Sequence, residues 1–217
     1  IYTLSLHDAL PISLSLEWYS GTVGFDNCPI EELNLYRQLN ATRKVPHFKY
    51  ARTVHFGSSV TRIESAMFSV NEVLERLVIP GSVSSIGPYA FKNCTNLKTV
   101  KFEYGPEKLH IVSDNYDSGL NSFNYTSLDS LYIERNLNIT APESGKSSAI
   151  SKVKHVVVGD KVTEISEGLF RGSTVLETVY IGKGVEKIGE NAFIGCSNLY
   201  SVILDCPITT IESDVFS

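Results

Sequence analysis

The 217-residue chain is poor in the features that mark most specialised classes of protein. No apolar run approaches the ~18 residues of a membrane-spanning helix. There is no basic surplus: 19 Lys and Arg stand against 24 Asp and Glu, a formal charge of −5, so few cations are available for phosphates and nucleic acid is not expected as the main partner. Four cysteines occur without a Cys-x-x-Cys and without a Cys/His pair at metal-ligand spacing. Nothing resembles Gly-x-Ser-x-Gly, a Walker loop or a dinucleotide glycine pattern. His7, His47, His55, His110 and His155 are scattered, and the acid pair Glu31-Glu32 falls where alternation along a strand sends its members to opposite faces. No catalytic residue, metal or cofactor is therefore expected, and the chain does not read as an enzyme. What is present is ordinary: 42% hydrophobic and 10% aromatic residues and a mean hydropathy of −0.01, which fit a folded globular chain better than a disordered one.

Residues 1–13 stand apart. Ile1 to Ile12 follow one reading frame of a common short-read sequencing adapter without a mismatch, and the next base opens the codon of Ser13. The segment is expected to be foreign to the native protein and is set aside from the fold.

Self-comparison shows a period of 23 residues. Units start at Ala51, Leu74 and Leu97, and again at Val153, Leu176 and Leu199. The unit from Leu74 and the unit from Leu176 share Leu in the first place, an aliphatic in the fourth, Ile in the sixth, Val in the tenth, Ile-Gly from the thirteenth, Ala-Phe from the seventeenth and Cys in the twenty-first. The strictest mark is an Ile five residues before a Phe: Ile63 and Phe68, Ile86 and Phe91, Ile165 and Phe170, Ile188 and Phe193, Ile211 and Phe216. Divergent units are expected from Ile30 and Leu128, and Leu14 and Leu16 look like the remnant of another. The organisation expected is 14–50 divergent repeats, 51–102 regular repeats, 103–152 an insertion (103–127) with a degenerate repeat, and 153–217 regular repeats cut mid-unit after Phe216.

Each unit reads as a short β-branched strand, a glycine turn, a second short extended piece and one helical or 3₁₀ turn that drops its Phe inward. Such a unit buries its apolar side chains by stacking on its neighbours. The fold class expected is a β-rich repeat solenoid of about eight coils, with parallel strands ~4.8 Å apart on a concave face.

The pattern Leu-x-x-Val-x-Ile…Val-x-x-Ile-Gly-x-x-Ala-Phe-x-x-Cys resembles the BspA-type leucine-rich repeats. The resemblance covers roughly 25–217 and is most specific in 51–102 and 153–216; the segment 40–50, the insertion and the unit from Leu128 depart from it. It implies a secreted or surface-anchored solenoid, hence an extracellular or cell-surface location, that binds proteins or other surface ligands such as polysaccharides, in adhesion or host and cell-surface interaction.

Cys28, Cys94 and Cys196 occupy related places in widely separated units, too far apart for the ~7 Å Cα separation of a disulfide, and read as small buried side chains. Four sequons, at Asn40, Asn93, Asn124 and Asn138, would be glycosylation acceptors in a protist secretory pathway and are coincidence in a bacterium, the favoured reading. The candidate ligand surface is the outward face of the first strands. Its fifth-place column runs Asn34, His55, Val78, Lys101, Tyr132, Val157, Tyr180, Ile203, and its third-place column includes His155. Tyr132, Val157, Tyr180 and Ile203, flanked by His155, form either an apolar recognition stripe or a cross-strand ladder that only stabilises the sheet. Two other functions compete with a binding module: a spacer rod that displays another domain, and an appendage of an enzyme whose catalytic domain lies elsewhere.

Overall fold

The computed structural model describes residues 2–6, 29–38, 48–112, 122, 123, 125, 126, 128–139, 148 and 150–217. In chain order the strands are β1 (Tyr2–Leu6), β2 (Ile30–Arg37), β3 (Thr53–Ser59), β4 (Arg62–Ile63), β5 (Arg76–Ile79), β6 (Ser85–Ile86), β7 (Thr99–Phe102), β8 (Leu109–Ile111), β9 (Leu128–Ile133), β10 (Leu137–Ile139), β11 (Val153–Val158), β12 (Glu164–Ile165), β13 (Thr178–Ile181), β14 (Lys187–Ile188), β15 (Ser201–Leu204) and β16 (Thr210–Ile211). Every pairing is parallel and joins one coil to the next. The chain is therefore a parallel β-solenoid. Eight first strands, β2 to β15, stand in succession with seven turns between them.

The first strands form a six-stranded sheet in the order β15-β13-β11-β9-β7-β5 and a three-stranded sheet β1-β2-β3. The short strands form β10-β8-β6-β4 and β12-β14-β16. Between β10 and β12 two side chains carry the ladder, Ser166, whose Oγ donates to the Leu137 carbonyl, and Asn136. Asn136 Oδ1 accepts from the N–H of Thr163 at 2.8 Å and of Glu164 at 3.3 Å, and its Nδ2 donates to Thr163 Oγ1 at 2.7 Å. Gln38 does the same before β4: Oε1 accepts from the N–H of Thr61 and Arg62, and Nε2 donates to the Arg62 carbonyl. β1 pairs with β2 through backbone groups, which any extended segment offers, so the pairing is independent of the origin of residues 1–13.

The strict places of the repeat are the core. Leu176, Val179, Ile181, Val185, Ile188 and Phe193 are all buried to 1% exposure or less, as are Leu74, Ile79, Val83, Ile86 and Phe91 one array earlier. The phenylalanines stack into a column. Ring centroids lie 5.3 Å apart for Phe68 and Phe91, 5.1 Å for Phe91 and Phe123, and 5.3 Å for Phe170 with Phe193 and for Phe193 with Phe216. Phe48 joins it at 5.9 Å from Phe68, so the irregular segment before Ala51 still supplies the ring of its coil.

The Ala-Phe segment is not the helical or 3₁₀ turn expected: among the described residues there is no helix of either kind. In the coils from Ala51, Leu74, Val153 and Leu176 two residues take left-handed backbone instead, and Tyr125 and Asp214 do so in two others. The first column is Ala66, Tyr89, Gly168, Asn191 and Asp214, and the second is Val70, Asn93, Tyr125, Gly172 and Gly195, with φ between 51° and 73°. A left-handed residue ends helical progression, and the freed N–H groups turn to the next coil. Gly168, Phe170 and Gly172 donate to the carbonyls of Glu190, Ala192 and Ile194, and Ala66, Phe68 and Val70 to those of Pro88, Ala90 and Lys92, all at 2.7–3.0 Å. Glycine takes this conformation freely, whereas other residues lose about 1–2 kcal/mol.

The coil from Leu97 is 31 residues long by its distance to Leu128. It keeps the plan. β8 supplies its second strand, Phe123 its ring, and Ser122, in the alanine place, accepts the N–H of Phe91 at 2.7 Å.

Candidate functional site

Alternation along the first strands gives the site its form. The fourth and sixth places point inward, and the third and fifth stand on the outer face. The register joins the fifth-place residues into one row: Val78 opposite Lys101, then Tyr132, Val157, Tyr180 and Ile203. The third-place residues form a parallel row, Arg76, Thr99, Ser130, His155, Thr178 and Ser201. All five residues singled out from sequence thus lie on one face, four in a single row and His155 beside it. The row does not run unbroken to the first coils, because β3 and β5 share no ladder and Asn34 and His55 pair in the other sheet. Asn34 departs further from the expectation. It is 8% exposed, and its short amide lies along the sheet to donate to Glu32 Oε1 at 3.0 Å.

Exposure grades along the row. Val78 is 46% exposed, Tyr132 38% and Ile203 56%, while Val157 and Tyr180 between them are half-buried by their neighbours. Two side chains are held. Tyr180 donates its hydroxyl to Asp205 Oδ2 at 2.9 Å, and that bond, with the negative charge of Asp205, raises the phenol's pKa. His155 Nδ1 meets Thr178 Oγ1 at 2.9 Å across the strands. The result is an apolar and aromatic strip three strand spacings long, ~14 Å, with a margin of hydroxyls and one imidazole.

A second-place column borders that margin with charges of alternating sign: Glu75, Lys98, Asp129, Lys154 and Glu177. Consecutive members sit on neighbouring strands, joined by backbone bonds from Lys98 to Glu75, Asp129 to Lys98 and Glu177 to Lys154, and the Lys154 ammonium stands 3.2 Å from Asp129. Neighbouring members offset one another, so the five leave a single net negative charge on this side of the strip.

No group of three metal-ligating side chains occurs among the described residues. Cys94, Cys196 and Cys206 are free thiols, and Cys28 and His47 lie outside the described residues, as do the sequon residues Asn40 and Asn124. Asn93 occupies a left-handed turn and Asn138 a strand, where its amide meets His110 Nδ1 at 3.1 Å. The repeat cysteines do more than fill space. Each donates its thiol to the phenylalanine carbonyl of the preceding coil, Cys94 to Phe68 at 3.1 Å and Cys196 to Phe170 at 3.2 Å, and Ser173 fills the same place with a hydroxyl bond to Ser151. Burial pushes the Cys94 thiol up to about 12 and Cys196 to about 11.

One feature had no signal in the repeat. Arg135 follows β9 and is 2% exposed. Its guanidinium reaches across the intervening coil to the carbonyls of Pro80 and Gly81, each at 3.2 Å, passing Gly105, where a Cβ would come within 2.8 Å of Nη1. Burial pulls its pKa down to about 10, against the opposing charge of Glu103.

The BspA type leucine rich repeat region matches in six copies, over residues 19–144 and 118–217. No curated protein matches the sequence. Among solved structures, a leucine rich cell surface protein from Faecalibacterium prausnitzii A2-165 is 22% identical, with 80% of this chain and 60% of that one covered and a TM-score of 0.29. The pneumococcal vaccine antigen PcpA is 20% identical over 81% of this chain and 49% of that one, with a TM-score of 0.29. A leucine-rich repeat protein from Bacteroides ovatus ATCC 8483 is 21% identical over 87% and 62%, with a TM-score of 0.28. The chain spans between about half and three fifths of the length of these proteins, and likenesses at such TM-scores bear on neither ligand nor mechanism. The repeat carries the assignment: six family copies over most of the chain, on a parallel solenoid with the same 23-residue step, mean that the chain belongs to the BspA type leucine rich repeat family.

Proposed function

We propose that the chain is a non-catalytic binding module, extracellular or on a cell surface, that takes a protein ligand on the outer face of its six-stranded sheet. A leucine-rich repeat of this family points to protein binding. One observation carries the choice of face: Tyr132, Val157, Tyr180 and Ile203 stand in register on adjacent strands with their side chains away from the core. A stabilising ladder alone needs no apolar area in water, yet Tyr132 is 38% exposed and Val78 in the same row 46%, and tyrosine joins such area to a hydroxyl with little rotamer entropy to lose. The sheet holds the rings in place before a ligand arrives, which lowers the ordering cost of association. Adhesion is the role such a surface would serve.

The test is binding of the purified chain to immobilised fibronectin, laminin and collagen, compared with a Tyr132→Ala/Tyr180→Ala variant and with Lys161→Ala, which lies in an exposed turn. The expected result is binding by the parent to at least one of them, a loss of ~1–2 kcal/mol or more in the double variant, and no change in the lysine variant. Parent binding that survives the double substitution would move the site off this face. No binding by the parent would favour the spacer reading.

A further inference from the structure

The left-handed turn residues set two halves of the array apart. In the coils from Val153 and Leu176, three of the four are Gly168, Gly172 and Gly195, the residue that takes such a conformation without strain. In the earlier coils the same places hold Ala66, Asn93 and three bulkier residues, Val70, Tyr89 and Tyr125, at φ of 62°, 59° and 58°. A β-branched or aromatic side chain in this region is a true outlier, and strain of this kind is kept where the side chain has a use. Burial is no compensation here, since Val70 is 43% exposed and Tyr125 61%.

These residues lie together on the turn ridge, away from the strand face. Val70 donates its N–H to the Lys92 carbonyl at 2.7 Å. The Lys92 ammonium stands 5.2 Å from the centroid of the Tyr89 ring and 6.0 Å from that of Tyr125. One coil earlier, the ridge continues with Lys49 and with Tyr50, 44% exposed, two residues beyond the buried ring of Phe48. Among the described residues neither Lys49 nor Lys92 is in an ion pair.

We infer that this ridge is a second binding site, separate from the strand face, for an acidic polysaccharide. Aromatic rings offer flat apolar faces on which the C–H face of a pyranose can lie. The two ammonium groups, without carboxylate partners among the described residues, complement the uronic acid groups of such a chain. The ridge repeats with the coils, as the 5.1–5.3 Å steps of the phenylalanine column inside it show, and a polymer of repeating sugars presents rings and charges at regular intervals in the same way. The chain's formal charge of −5 repels a polyanion as a whole, so binding must be local and sensitive to salt.

The experiment is titration of the whole chain with polygalacturonate, with dextran as the neutral comparison, together with thermal melting of each variant. Tyr125→Asn is the informative substitution, because Asn93 holds the equivalent turn place one coil earlier. The parent should bind polygalacturonate, more weakly as salt rises, and should not bind dextran. Lys92→Ala and Tyr125→Asn should each weaken binding at least tenfold, Lys161→Ala should leave it unchanged, and Tyr125→Asn should melt no lower than the parent. Failure of the parent to bind polygalacturonate, equal binding of dextran, or a lower melting temperature for Tyr125→Asn would overturn the inference, the last by making the tyrosine a structural residue.

Discussion

Phe193 is 1% exposed, and its ring is stacked at 5.3 Å on both Phe170 and Phe216. Truncation to alanine removes two ring contacts and leaves a cavity that the rigid backbone ladder on either side cannot close. Phe193→Ala should therefore cost ~3–5 kcal/mol in denaturant unfolding, and a near-neutral result would deny the ring its place in the stack. The repeat cysteines act through their protons. Cys94 holds a thiol raised from 9.0 to about 12 by burial, so the folded state keeps a proton that the unfolded state gives up. Its contribution is complete below pH 9 and is lost as the pH rises toward 12. Stability should fall across that window in the parent and fall less in Cys94→Ala, as read from melts at graded pH. The same burial predicts slow alkylation of Cys94 in the native state and fast alkylation in denaturant; rapid native labelling would contradict it.

At the scale of strands and turns, close approach between coils decides what is tolerated. A Cβ on Gly105 would meet the Gly81 carbonyl at 2.4 Å and Arg135 Nη1 at 2.8 Å, and neither backbone nor buried guanidinium can move aside cheaply. Gly105→Ala should destabilise by ~1–3 kcal/mol in thermal or urea unfolding, as overpacking does elsewhere. The alternating second-place column predicts a smaller effect. Lys154→Glu sets a carboxylate between Asp129 and Glu177 and should cost up to ~1 kcal/mol, less at high salt. The sequence reveals much at this scale, since the Ile-to-Phe spacing of five locates the second strands and the buried rings together. It misses Phe48 and Ser122 because their neighbours break the spacing while backbone geometry keeps the place. It also misses the left-handed turns. Only Gly168, Gly172, Gly195, Asn93 and Asn191 hint at them, and Tyr89 and Val70 adopt the same backbone without any such signature. Arg135 has no repeat counterpart at all, since its partners lie two coils away.

Over the whole molecule, one property governs function: the coils hold side chains from distant parts of the sequence in fixed rows. Tyr132 and Ile203 are 71 residues apart by number and three strands apart in the sheet. That row was legible because alternation and period together fix which residues share a face; its break at β3 and the burial of Asn34 were not, since they depend on how particular coils meet. The most direct measurement places a photo-crosslinking benzoylphenylalanine at Val157, Ile203, Val70 or Lys161, one at a time, and irradiates each protein with the matrix protein that the parent binds. Crosslinks at Val157 and Ile203, and none at Val70 or Lys161, are the expected result. Crosslinks at Val70 or Lys161 with none at Val157 and Ile203 would contradict binding of a protein ligand by the strand face.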